Sequence, residues 1–107
     1  MCLFNLKSTN MIRHTVVFNL KNKENSKEAL EFFDALKRLV AIPGVQKFEC
    51  LRQIGKKNNF EFGLSMEFEN AGQYQQYSNH PDHNLFVELY WVKEVKEFME
   101  IDFEPLN

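Results

Sequence analysis

Tyr77 and the run His80-Pro81-Asp82-His83 hold the residue types best suited to moving a proton near neutral pH. Imidazole exchanges protons in that range, and a phenol close by can donate a hydrogen bond or a proton. The chain has three histidines, and the remaining one, His14, lies in an alternating apolar segment near the N-terminus. A neutral His83 can remove a proton alpha to a carbonyl while the Tyr77 hydroxyl holds the developing enolate oxygen. The plainer alternative is that His83 packs across a helix break and Tyr77 fills the core. His14 is likewise either a pocket group or a core histidine with its hydrogen bonds satisfied. His80, directly before a proline, reads as a turn and capping residue.

Other chemistries find less support. His80, Asp82 and His83 span a helix break, and no cysteine or further histidine stands at ligand spacing beside them, so no metal site is expected. The pattern shows no Asp–His pair, no serine nucleophile elbow and no paired catalytic carboxylates. With only Gly44, Gly55, Gly63 and Gly72, a phosphate-cradling glycine loop is not expected, and no cofactor is assigned. Tyr90, Trp91 and the phenylalanines, at helical and strand spacing, read as core and interface rather than as an aromatic cage.

These residues need elements to position them. Ile12, His14, Val16, Phe18 and Leu20 alternate with Arg13, Thr15, Val17 and Asn19 and predict a strand with His14 on its buried face. Asn25 and Glu28 form a capping-box pattern ahead of a helix whose apolar stripe is Ala29, Phe32, Phe33, Leu36, Leu39 and Val40. Pro43-Gly44 ends it. Val45 to Ile54 reads as a second strand, less cleanly patterned, and Phe60 to Phe68 as a third that alternates strictly. Asn70 opens a short helix to about Tyr77, and Pro81 suits the first turn of a further helix to about Lys93. Val95 to Phe103 is a last strand. The order is β-α-β-β-α-α-β, an α+β ferredoxin-like arrangement on a four-stranded antiparallel sheet. Helices would cover one face. The other carries Thr15, Val17, Gly63 and Ser65, a mixed surface suited to the same face of a second copy, so a homodimer is expected.

Length and composition frame this reading. One domain fits 107 residues, with residues 1–10 a foreign-looking N-terminal extension, the domain proper at 11–106, and Met11 an alternative start. Eleven phenylalanines point to a ring-rich core with room for an apolar ligand. A net charge of −2, with basic residues scattered among acidic ones, argues against nucleic-acid binding. Cys2 and Cys50 make neither a disulfide framework nor a redox motif, which points to a reducing, cytoplasmic setting. No apolar run reaches membrane-span length, and no signal-peptide pattern is present.

Met11-Ile12-Arg13-His14-Thr15-Val16-Val17-Phe18, Ile42-Pro43-Gly44-Val45, His80-Pro81-Asp82-His83 and Ile101-Asp102-Phe103-Glu104, in that order, resemble the stress-responsive α/β-barrel (Dabb) domain family. The resemblance covers Met11 to Leu106 and implies a dimeric α/β barrel. The Tyr-x-x-His-Pro-x-His pattern with a first-strand histidine is also similar to the family's plant olivetolic acid cyclase, which closes a linear polyketide by an intramolecular aldol condensation. By position, that likeness implies acid–base roles for Tyr77 and His83 and a pocket role for His14. The cyclase's third-strand pocket histidine is replaced here by Phe62, which makes the pocket more apolar. The expectation is a homodimer holding a small apolar or aromatic carbonyl compound. His83, Tyr77 and His14 would stand at the polar end, and Phe18, Phe62, Leu64 and Phe86 would shape the apolar end, with cyclisation or isomerisation as the proton-transfer step. The alternatives are a non-catalytic ligand-binding or stress-protective protein and, by fold analogy, a small oxygenase acting on haem or quinol.

Overall fold

The computed structural model describes residues 10–106. Cys2, Asn107 and all but the last residue of the extension expected over 1–10 lie outside the described residues. Four strands, β1 (Ile12–Leu20), β2 (Gln46–Arg52), β3 (Phe62–Phe68) and β4 (Val95–Phe103), form one antiparallel sheet in the order β2-β3-β1-β4. Helix α1 (Lys27–Lys37) joins β1 to β2. Between β3 and β4 run α2 (Ala71–Asn79), α3 (Pro81–Phe86), a wide π-helical stretch at Val87–Trp91 and a closing turn, α4 (Val92–Glu94). This is the ferredoxin-like arrangement with its second helix divided.

Strand alternation sets the core. Ile12, His14, Val16 and Phe18 of β1 and Phe62, Leu64, Met66 and Phe68 of β3 all face the helices and are buried. Phe18, Phe32 and Phe68 are almost wholly enclosed, and the Phe18 ring touches those of Phe32, Phe62 and Trp91. Offset and edge-on contacts of this kind add to the burial energy of each ring. The opposite face of the sheet is open. Val17 and Thr15 of β1 sit beside Met99 and Ile101 of β4, and Leu51 of β2 beside Gly63 of β3.

Local signals account for most element ends. The Asn70 side chain accepts from the Gln73 backbone N–H at 2.9 Å and caps α2. Pro81 occupies the first turn of α3, where its missing N–H costs nothing. The cap of α1 is Ser26, not Asn25: Ser26 Oγ accepts from the Ala29 N–H at 3.1 Å and donates to the Lys23 carbonyl at 2.6 Å. Helix α1 also ends before Pro43-Gly44, because residues Arg38–Ala41 tighten into a 3₁₀ turn. That turn advances each residue further round the axis than an α-helix does. It leaves Leu39 buried but Val40 exposed, outside the stripe expected from the sequence. Gly44 then takes a left-handed backbone (φ 95°), a conformation glycine adopts without steric cost.

Strand β2 is shorter than Val45 to Ile54. Its pairing with β3 shifts register between Gln46 and Glu49, and Lys47 within that bulge has φ 50°. The bulge breaks the period-two pattern there. Ile54, expected at the strand's end, is almost fully exposed.

Candidate active site

A pocket of about 370 Å³ opens between the sheet and the helices. His14 reaches it from β1, Tyr77 from the last turns of α2, and His83 from the first turn of α3. Its apolar walls come from Leu36 and Leu39 on one side, Val16 and Leu64 on the sheet, and Phe86 and Trp91 on the other. The π-helical stretch forms part of that last wall, contributing Val87 and Trp91.

The helix break places the proton-transfer candidates together. His80 is at once the C-cap of α2 and the N-cap of α3. Its Nδ1 accepts from the Asp82 backbone N–H at 3.1 Å. An accepting Nδ1 carries no proton, so its 3.9 Å approach to the Asp82 carboxylate is not an ion pair through that nitrogen. His80 thus has the capping role read from the sequence. The turn it makes brings the Tyr77 and His83 rings to a centroid separation of 4.7 Å.

The surroundings of both groups favour their neutral forms. Burial lowers the pKa of His83, opposed by a hydrogen bond with Asn84 and reinforced by the neighbouring His14. Burial, and then the negative charge of Glu100, push the Tyr77 hydroxyl well above the ordinary phenol range. Tyr77 is therefore a proton-bearing donor throughout the physiological range, and His83 is a base.

His14 has a different setting. Its Nδ1 stands 2.6 Å from Asp102 Oδ1, and the Tyr74 hydroxyl donates to Asp102 Oδ2 at 3.0 Å while lying 2.9 Å from His14 Nδ1. The arrangement is consistent when Nδ1–H donates to the carboxylate. That leaves Nε2 as the second ring nitrogen of a histidine held in one orientation from behind. An Asp–His pair is therefore present, contrary to the expectation from the sequence. Its members stand opposite each other on β1 and β4, two strands whose pairing no local motif announces.

Five of the seven residues expected at the site line the pocket: His14, Tyr77, His83, Leu64 and Phe86. Phe18 and Phe62 do not. They point to the same side of the sheet, but at a level where the rings of Phe32 and Phe33 pack against them and fill the space. Sequence reasoning missed Asp102, Tyr74, Glu100 and the pocket position of Trp91. Strand alternation from Phe98 puts Glu100 and Asp102 on the helix side, and Tyr74 is one helical turn before Tyr77; both signals were available.

Donor atoms of His14, Glu100 and Asp102 lie within 4.8 Å of one another, the one group among the described residues with metal-binding proximity. The His14 imidazole and the Asp102 carboxylate are already hydrogen-bonded to each other. A divalent ion taken through Nδ1 would have to displace that proton first.

The comparisons agree with this architecture. The stress-responsive A/B barrel domain family matches residues 12–105. The chain belongs to that family. A Dabb-family protein with a ferredoxin-like fold from Mesorhizobium loti is 52% identical, with a TM-score of 0.87 over 92% of this chain and 99% of that one. A dimeric ferredoxin-like protein of unknown function from Thermobifida fusca is 19% identical, with a TM-score of 0.75 over 90% of this chain and 92% of that one. The hydroxynitrile lyase of Passiflora edulis is 12% identical, with a TM-score of 0.79 over 92% and 95%. The last two show a shared fold. No curated protein matches this Dabb chain, and none of its helices among the described residues is long and apolar enough to cross a membrane.

Proposed function

We propose that this Dabb protein is a homodimer that binds a small, largely apolar or aromatic carbonyl compound and catalyses proton transfer on it. The supporting observation is the Tyr77–His83 ring contact at the polar end of an otherwise apolar pocket. In the reaction, His83 takes the proton alpha to the ligand carbonyl. Tyr77 O–H donates a hydrogen bond to the oxygen on which the enolate charge collects. Return of the proton at another carbon gives isomerisation, and attack of the enolate carbon on a second carbonyl of the same molecule gives cyclisation. His14, oriented through Nδ1 by Asp102, lines the same pocket. That the hydroxynitrile lyase shares the fold is consistent with this scaffold accommodating lyase-type chemistry.

Dimerisation is supported by the open sheet face, where Val17, Leu51, Met99 and Ile101 surround the small residues Thr15, Gly63 and Ser65, and by relatives described as dimeric. Joining two such faces would remove the apolar surface from water.

The test is exchange of alpha hydrogens for deuterium in small aryl ketones, followed by proton NMR. Exchange is expected with the native protein and lost in His83→Ala at unchanged oligomeric state. Exchange retained in that variant removes His83 from the mechanism. Saturable ketone binding without exchange in the native protein identifies a binding protein instead.

A further inference from the structure

The helices carry a second groove, a cleft of about 350 Å³ between the C-terminal end of α1 with its 3₁₀ turn and α3 with the π-helical stretch. Leu39 and Phe86 are buried and border both this cleft and the pocket. Leu85 and Leu89, four residues apart on the other wall, are 52% and 56% exposed. Exposed leucines at helical spacing beside a cleft form an apolar seam with nothing packed on it in the single chain.

Charge is distributed by wall. At one end Arg38 stands on the α1 side and Asp82 on the α3 side. Past Leu89 and Tyr90 the cleft continues between the N-terminal half of α1 and the chain leading into α4, and there the signs are reversed. Glu28 and Glu31 lie on the α1 side and Lys93 on the other. All five of these charged residues are exposed. Glu31 meets Lys27 only at 3.9 Å, with both side chains more than half exposed, a contact too weak to commit it. Glu94, on the same stretch, is buried and bonded to Asn22.

We infer that this cleft docks the same cleft of a second copy of the chain. Cation and anion alternate around its four corners, and such a pattern is its own complement about a two-fold axis. With the axis along the cleft, Arg38 faces Asp82 of the partner subunit and Glu31 faces Lys93 of the partner subunit. With the axis across it, Arg38 faces Glu31 of the partner subunit and Asp82 faces Lys93 of the partner subunit. Each contact is of opposite sign and occurs twice, as an isologous interface requires. An unrelated partner would have to reproduce this alternation, whereas a second copy already carries it. Two helix pairs set groove to groove make a four-helix layer, in which Leu85 and Leu89 of each copy fill the cleft of the other and leave water.

The cleft is short, so the contact belongs to the small, transient class of interfaces, below about 1,200 Å². It is expected to fill at about 100 µM protein and above. At low micromolar concentration the sheet-face dimer is the expected species, and cleft docking doubles whatever species is present there. The inference therefore stands apart from carbonyl binding and from the sheet-face contact.

Sedimentation equilibrium from about 5 µM to about 1 mM spans the expected range. The weight-average mass of the native protein should approach twice its dilute value, and raising salt to about 0.5 M should weaken the association through screening of the paired charges. Arg38→Glu and Leu89→Lys, both at exposed positions where the fold tolerates change, should each weaken it at least tenfold, the first by placing like charges together twice. Adding Asp82→Lys to Arg38→Glu restores association if the axis runs along the cleft, and adding Glu31→Lys restores it if the axis runs across. A native mass that does not change with concentration overturns the inference. So does a doubling that neither Arg38→Glu nor Leu89→Lys weakens, or a loss in Arg38→Glu that neither second substitution repairs.

Discussion

Replacing Asp102 with alanine should be among the more damaging single changes outside the apolar core, and the structure sets the size of the effect. The Asp102 carboxylate accepts from two groups, His14 Nδ1–H at 2.6 Å and Tyr74 O–H at 3.0 Å. Both donor residues are nearly enclosed, His14 at 7% and Tyr74 at 4% exposure, so water cannot readily take the place of the acceptor. Each orphaned buried donor costs about 1–3 kcal/mol. The Asp102 side chain is 13% exposed, so part of the loss is recovered by solvent. A net cost of about 2–4 kcal/mol follows, equivalent to a fall in melting temperature of about 10–20 °C for a domain of this size. Urea unfolding at fixed protein concentration measures it, because a dimer's stability depends on concentration. Tyr74→Phe alone removes one donor and should cost about 1 kcal/mol. The double variant should show a coupling of at least about 1 kcal/mol, beyond the ~0.5 kcal/mol of independent sites. A loss below about 1 kcal/mol for Asp102→Ala, or strict additivity with Tyr74→Phe, would refute the claim that the three groups act as one unit.

Three further outcomes follow from particular contacts. The folded pKa of His83 lies below its unfolded value of about 6.5, so the unfolded chain binds more protons there. Stability should accordingly rise with pH up to about 6.5 and decline as pH falls below it; an NMR titration placing the His83 midpoint at or above 6.5 contradicts this. Ile101→Glu puts a charge on the open sheet face and should yield monomer by light scattering, whereas a persistent dimer places the interface elsewhere. Ser26→Ala should cost about 1 kcal/mol through loss of the α1 cap, and Asn25→Ala close to nothing; equal effects in thermal melts would return the cap to Asn25.

Local sequence signals carry the order of elements here, and depth and pairing are what they do not carry. The alternation of Phe62, Leu64, Met66 and Phe68, the Asn70 cap and Pro81 each act over a few residues, and each is found where its pattern places it. Asn25 and Ser26 are both capping residues, and the choice falls to Ser26 because its hydroxyl also reaches the Lys23 carbonyl. Alternation reports which face a side chain takes, not how far along the strand the cavity extends, so it groups Phe18 and Phe62 with the pocket residues. The cavity stops where Phe32 and Phe33 meet them. His14, Tyr77 and His83 were legible as residue types, but the Asp102 and Tyr74 partners of His14 required the register of β1 against β4. The π-helical stretch that brings Trp91 to the pocket left no mark in the pattern, since its residues read as an ordinary apolar helix.

His14 and Asp102 are separated by 88 positions in the chain, and β4 is an edge strand that reaches the sheet only by pairing with β1. The polar end of the pocket therefore cannot exist in a partly made or partly folded chain. Until that strand docks, His14 faces the tyrosine and histidine of the helix break without its carboxylate. Docking of that strand is a long-range closure with a corresponding entropic cost, and it supplies Asp102 and Glu100 in a single event. Fraying of β4 in the finished protein would reverse the same event. Competence at this site would then be gained and lost with the C-terminal strand as one cooperative unit.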